Sequence, residues 1–223
     1  MFESAQLCIQ CWVEHLACGT RLERFSGEQW EEILLIQGDL DCNQRGYRDI
    51  YLCLPPEEAA PSFCAGTAGA VLLRLFFGSG SGNHRGLGTV AHGKPPVELV
   101  DFGLLSWNEI PARRANDPGA RIAELSTNIS RTRITSLMDC RPGWILDDHD
   151  HPSDVLTFCV RGGGILGIEE ETTPYEAGDL VTIPAGMRHR FETGTKGALL
   201  AVFVLEPFLL TTTLTKVVVS GKT

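Results

Sequence analysis

The residues best placed to do chemistry lie in GWILDDHDHPSDVLTFCVRG, where Gly143 is followed, after five intervening residues, by His149 and by His151, the two flanking Asp150. Neutral imidazoles bind divalent transition metals, and two of them at i and i+2 of a strand point to one face. A second stretch, GDLVTIPAGMRHRF, supplies Gly178 and, again after five intervening residues, Pro184, then Gly186 and His189. Glycine and proline there are turn chemistry, bringing the chain back with His189 facing inward. A lone HxH in an acidic loop is by default two solvated histidines; a third at this distance makes a ligand set. Three imidazoles leave open coordination positions, which a catalytic ion needs and a structural zinc fills. The expectation is one divalent transition metal per chain on His149, His151 and His189, with Fe(II), Zn, Ni and Mn all suited to these donors. Since ligation needs deprotonated imidazole, affinity falls as pH drops below the ordinary histidine value of ~6.5.

The elements that hold these residues are organised by an internal repeat. Gly19 and Gly38 are spaced like Gly143 and Gly162, 124 residues later, and an apolar strand ends each interval, WEEILLIQG and DVLTFCVRG. Further on, Pro56 matches Pro184, and AGAVLLRLFF matches GALLAVFVLE at an offset of 128, so one loop is four residues shorter in the first copy. Between the copies, GSGSGNHRGLGTVAHGKPP reads as an irregular connection. The expected division is a domain at 1–77, a linker at 78–96 and a domain at 97–223. Apolar stretches of four to eight residues rich in Val, Ile, Leu, Phe and Thr, without a convincing amphipathic helix, predict an all-β chain. Each copy is expected to be a small antiparallel β-barrel or jelly roll. The β-prone tail LLTTTLTKVVVSG lies beyond the repeat and is expected to add an edge strand to the neighbouring domain or a second chain.

The spacing of Gly143, His149, His151, Gly162, Gly178, Pro184, Gly186 and His189 resembles the two motifs of the cupin superfamily, GxxxxxHxHxxxExxxxxxG and GxxxxxPxGxxHxxxN. With the repeat, most of the chain resembles a bicupin of the RmlC-like jelly-roll kind. Two positions depart from the motifs: Val155 stands at the glutamate and Thr193 at the final asparagine. Asp154, one place early, points outward by strand parity unless a bulge shifts the register, and is the alternative fourth ligand beside a three-histidine site with water. Parity aims Thr157, Cys159 and Phe191 inward as pocket candidates, and Arg188 and Arg190 outward as surface or interface residues. Arg161 is a further charged residue near the site.

In the first copy the positions equivalent to the three histidines are Phe25, Gly27 and Pro61, while Glu31 occupies the glutamate position. A lone carboxylate does not hold a divalent ion tightly. This half, weakly similar to cupins of ChrR-type anti-sigma factors through WEEILLIQG and LPPEEAAP, reads as a structural or dimerising domain. Glu31 is expected to be solvated or ion-paired. His15, His84 and His92 lack partners at ligand spacing.

Composition narrows the function classes. The 223 residues carry 19 basic and 28 acidic side chains, a net charge of −9 that offers no basic stripe to nucleic acid. With 43% hydrophobic residues and a mean hydropathy of +0.01 the chain is globular, and its longest apolar runs, such as Ala198 to Leu205, fall far short of the ~20 residues that span a bilayer. The start MFESAQLCIQCW has neither a basic leader nor an apolar h-region, so the cytoplasm is the expected compartment. There the eight cysteines stay reduced. Cys8 and Cys11 form a CxxC without a second ligand pair, and the cysteines read as small core hydrophobes.

The resemblance implies a small-molecule partner, a homodimer paired through edge strands, and chemistry ranging from oxygenase to isomerase, decarboxylase or sensor. A three-histidine site resembles the Fe(II) cupin dioxygenases that cleave β-diketones, gentisate or thiols, and an enzyme of this kind is the leading expectation. The rival is a non-enzymatic metal-containing binding or sensor module. An isomerase lacks a recognisable general acid and base pair.

Overall fold

In the computed structural model, residues 8–24, 30–55, 62–78, 97–110, 118–126 and 133–205 are described. The chain divides into two compact units, Met1–Leu105 and Ser106–Thr223. Among the described residues every regular element is a strand except one 3-10 turn at Phe102–Leu104.

The first unit holds β1 (Cys8–Leu16), β2 (Trp30–Cys42), β3 (Arg45–Tyr47), β4 (Ile50–Leu54), β5 (Phe63–Gly78) and β6 (Glu98–Asp101). They form an antiparallel sheet in the order β1-β5-β2-β4-β6, with β3 folded back on β2. The second unit holds β7 (Asn108–Ile110), β8 (Ala120–Ser126), β9 (Arg133–Cys140), β10 (Ile145–His149), β11 (Val155–Ile168), β12 (Glu171–Glu176), β13 (Leu180–Ile183) and β14 (His189–Leu205). Its sheet runs β12-β11-β14-β9-β8-β7, with β10 on β14 and β13 on β11.

The repeat is reproduced in the hydrogen-bond register. The β2–β5 pairing shifts between Leu35 and Gln37 and again between Gly38 and Leu40; the β11–β14 pairing shifts between Cys159 and Arg161 and between Gly162 and Gly164. These bulges need glycine, because a Cβ on Gly38 would sit 2.0 Å from the Gly69 carbonyl oxygen, and one on Gly162 would sit 2.0 Å from that of Gly197. All four have φ between +69° and +87°, where a side chain is strained. The isolated bridge Arg21–Cys64 likewise matches the Ile145–Glu192 pair that opens β10.

Strands carried through such bulges run longer than the apolar segments suggest: β2 has 13 residues, β11 14, β5 16 and β14 17. The domain boundary is also corrected. β6 pairs with β4, so Glu98–Asp101 extend the first sheet and do not open the second domain as expected from residue 97 onward. Sheet membership is set by a partner strand distant in sequence, which composition around the glycine-rich segment does not reveal. The linker from residue 79 onward, the tail, Pro56, His84, His92 and the Phe25, Gly27 and Pro61 positions lie outside the described residues.

Each unit has its own apolar cluster. Leu22, Ile33, Leu35, Leu52, Phe63 and Leu72 centre the first, and Trp144, Cys159, Leu166, Tyr175, Ile183 and Phe191 the second. Cysteines follow the core expectation at Cys53, Cys140 and Cys159, which are buried, whereas Cys18 is exposed. Burial pushes the Cys11 thiol up to about 12, as for a packing residue.

Candidate metal centre

β10 and β14 meet so that His149, the last residue of the one, lies directly opposite His189, the first residue of the other. Directly opposed residues of antiparallel strands have Cβ atoms ~5 Å apart, which brings both rings to one place. His151 is two residues past the end of β10, so the HxH pair straddles a strand terminus and is not carried on one continuous strand. A register irregularity between Leu146 and His149 marks where the strand peels away. The ring centroids are 4.2 Å apart for His149–His189, 4.8 Å for His151–His189 and 6.0 Å for His149–His151. One ligand atom from each lies within 4.8 Å of the others.

Which atom each ring offers follows from its hydrogen bonds. Nδ1 of His149 lies 2.9 Å from the Asp147 carbonyl oxygen, that of His151 2.6 Å from the Ser153 carbonyl, and that of His189 2.9 Å from the Met187 carbonyl. A carbonyl only accepts, so each Nδ1 carries the hydrogen and each Nε2 keeps its lone pair. All three contacts are made two residues away along the chain, so the local backbone sets both tautomer and ring orientation, the arrangement that ligating histidines require. His189 is 2% exposed, and burial lowers its pKa to about 4. It therefore offers a neutral nitrogen at neutral pH. The residues present fit a divalent transition metal on three Nε2 atoms.

Asp154 does not join this group: among the described residues the cluster consists of the three histidines. Its Oδ1 accepts the Ala185 amide at 2.6 Å, while the Gly186 amide donates to the His151 carbonyl at 2.8 Å. Together these bonds tie the Pro184–Met187 turn, where Gly186 sits at φ +73°, to the loop carrying His151. The carboxylate thus meets the turn that delivers His189. Thr193 also takes a backbone task, accepting the Trp144 amide at 2.9 Å and donating to the Arg141 carbonyl at 2.7 Å.

Thr157 and Cys159 are buried at 4% and 2%. Thr157 pairs with Val181 on one side and Val202 on the other, and both belong to the cluster containing Cys159 and Phe191. The three pocket candidates therefore share one face. Phe191 packs edge-on to His189, ring centroids 5.9 Å apart, and Tyr175 packs edge-on to Phe191 at 5.6 Å. Tyr175 was not legible as a site residue, because its face depends on the β11–β12 register; its hydroxyl is buried with no hydrogen-bond partner among the described residues. Burial raises the Cys159 thiol to about 12, so it stays protonated. Arg161, Arg188 and Arg190 are exposed.

In the first unit Glu31 is ion-paired and wholly buried, at 0% exposure. Arg74, 3% exposed, donates through Nε at 2.8 Å and through Nη2 to Glu31 Oε1, through Nη1 to Glu14 at 2.5 Å, and through Nη2 to the Glu23 carbonyl at 2.8 Å. In the repeat, Glu31 and Arg74 correspond to Val155 and Val202, so the first copy has an ion pair where the second has valines.

Comparison with known proteins places the chain. Residues 136–205 match the family model Cupin domain. Acireductone dioxygenase 1 of Vitis vinifera is 25% identical over 126 residues, covering 49% of this chain and 65% of that protein. Acireductone dioxygenase of Rattus norvegicus is 27% identical over 124 residues, covering 49% and 69%, and that of Synechococcus sp. (strain CC9902) is 41% identical over 61 residues, covering 26% and 33%. The chain thus spans between one third and about two thirds of these relatives' lengths. Among solved structures, oxalate decarboxylase of Lactobacillus farciminis in its formate complex aligns with a TM-score of 0.64 at 15% identity, covering 92% of this chain and 78% of that one. At that identity the likeness speaks for the fold alone, and its extent takes in both units. With the motif histidines gathered on a β framework of this kind, the second unit is similar to a cupin domain over residues 136–205.

Proposed function

We propose that the chain is a bicupin dioxygenase of a small organic substrate, using an Fe(II)-type centre in its second domain. The observation that carries this reading is the set of three Nε2 lone pairs left free by three carbonyl-held Nδ1 hydrogens. The similarity to acireductone dioxygenases over half the chain supports the reaction class. Bound there, the ion would supply Lewis acidity and the one-electron chemistry through which dioxygen reacts with a chelated enolate. The substrate class is a bidentate oxygen donor: an enediol conjugated to a carbonyl, as in an acireductone, or a β-diketone.

The chain's own residues hold and enclose the reactants. His149, His151 and His189 fix the ion's position, and three donors leave room for a chelating substrate and dioxygen together. Phe191 and Cys159 form an apolar wall that excludes water, with the buried Thr157 beside them, and the Tyr175 hydroxyl is a donor to a substrate oxygen. The first domain has a structural or dimerising role in a cytoplasmic homodimer. No helix among the described residues is long and apolar enough to cross a membrane.

Protein purified without oxygen and loaded with iron should consume oxygen with an acireductone, β-diketone, gentisate-type acid or small thiol. A His149→Ala, His151→Ala variant should lose both metal and turnover. Full iron content with no oxygen consumption on any of these overturns the enzyme reading and leaves a metal-holding binding module. Unchanged metal content in the double variant overturns the site itself.

A further inference from the structure

The first unit contains a cleft of about 520 Å³ lined by Glu14, Leu16, Thr20, Arg21, Glu23, Arg24 and Arg74. That volume lies within the range of ~300–1,000 Å³ typical of small-molecule sites. The repeat shows that the lining is not inherited packing. The positions of Glu14, Leu16, Thr20 and Arg74 correspond to Met138, Cys140, Trp144 and Val202, which pack into the apolar cluster of the second unit. At two of these positions the first copy carries charge, Glu14 and Arg74, where the second packs Met138 and Val202.

The charges differ in how far they are already committed. Arg74 is occupied by Glu31, Glu14 and the Glu23 carbonyl, and Arg24 donates to the Pro55 carbonyl at 2.5 Å. The guanidinium of Arg21 and the carboxylate of Glu23 are exposed, and neither has a hydrogen bond or ion pair among the described residues. Ordinary surface charges have the same freedom, but these two line a hollow together with the Arg74–Glu14 pair, whose guanidinium is buried and whose carboxylate is partly exposed. Three guanidiniums face two carboxylates, so a multiply charged anion such as phosphate meets repulsion from Glu14 and Glu23 along with attraction. A group carrying both a carboxylate and an ammonium meets complementary partners for each.

We infer that this cleft is a second ligand site, independent of the metal centre, for a small amino-acid-type zwitterion whose carboxylate pairs with Arg21 and whose ammonium faces Glu23 and Glu14. The full chain is titrated by ligand-observed NMR and calorimetry with the standard L-amino acids. For each that binds, the analogue lacking the amine and the analogue lacking the carboxylate are tested, with inorganic phosphate alongside. The expected result is saturable binding of at least one amino acid, weakened about tenfold or more in either analogue and in both Arg21→Ala and Glu23→Gln. Both substitutions are at exposed side chains, so folding is preserved. Binding should persist unchanged in the His149→Ala, His151→Ala variant, which separates this site from the fate of the dioxygenase reading. Absence of saturable binding up to about 10 mM, binding of phosphate alone, insensitivity to Arg21→Ala, or loss in the histidine variant would each overturn the inference.

Discussion

Replacing Glu31 and Arg74 tests how the first copy tolerates charge where its twin is apolar. With exposures of 0% and 3%, either residue left alone is a buried charge without its main partner. Removing one partner of such a pair costs about 3–5 kcal/mol. Replacing both by apolar groups of similar volume is about neutral, or stabilising by about 1–4 kcal/mol, because the desolvation of two charges is relieved together. The second unit's Val155 and Val202 show that this framework accepts apolar residues at both positions. Glu31→Leu and Arg74→Met preserve volume; in the double variant Glu14, with its side chain 31% exposed, turns to water. Equilibrium urea unfolding of the full chain supplies the measurement. Tryptophan emission is a suitable signal, since Trp12 stacks on Phe76 at 4.5 Å and Arg74 sits 5.5 Å from the Phe76 ring centroid. Each single variant should lose about 3 kcal/mol or more, and the double variant should return to within about 1 kcal/mol of the parent. A double variant as damaged as the worse single would refute the reasoning, because the ion pair would then be a net source of stability.

Three further outcomes follow from the second unit. Asp154→Asn keeps an acceptor for the Ala185 amide and should retain metal affinity, whereas Asp154→Ala should weaken it about tenfold to a hundredfold, as loss of supporting interactions around ligands does; equal losses in both, read by metal competition, would point to a ligand role for the carboxylate. His189 has a folded-state pKa of about 4 against 6.5 unfolded, so the unfolded chain takes up the proton first as pH falls. Its contribution to the metal-free protein is complete above about 6.5 and lost as pH falls toward 4, about 2 kcal/mol of it between pH 7 and 5; urea midpoints should show that slope reduced in His189→Gln. Gly162→Ala places a Cβ 2.0 Å from the Gly197 carbonyl at φ +79° and should destabilise the second unit by about 2 kcal/mol or more, seen as a lowered unfolding midpoint.

Much of the site was legible in the chain itself. Gly143, His149, His151, Gly178, Pro184, Gly186 and His189 are informative in sequence because local turn chemistry fixes how far apart the ligands emerge, and spacing is preserved in one dimension. The repeat was legible for the same reason: Gly38 and Gly162 mark bulges whose positive φ admits little else. The inward aim of Thr157, Cys159 and Phe191, all buried, also follows from alternation within a strand, a local property.

Tertiary structure decided whatever depends on a partner from elsewhere in the chain. Glu98–Asp101 joined the first sheet because β4 offered an edge, and Asp154 met Ala185, 31 residues away, at a turn whose position parity counting does not give. The His151 ring is aimed by a loop carbonyl beyond the strand, and the tautomer that frees each Nε2 depends on Nδ1 contacts invisible in residue order. Arg74 lies 43 residues from Glu31 and reads as one charge in an apolar run until β2 and β5 pair. Residue types and local spacing thus set which groups are available to ligate, while long-range strand pairing set where they point, because only pairing fixes the register and the face on which a side chain is buried.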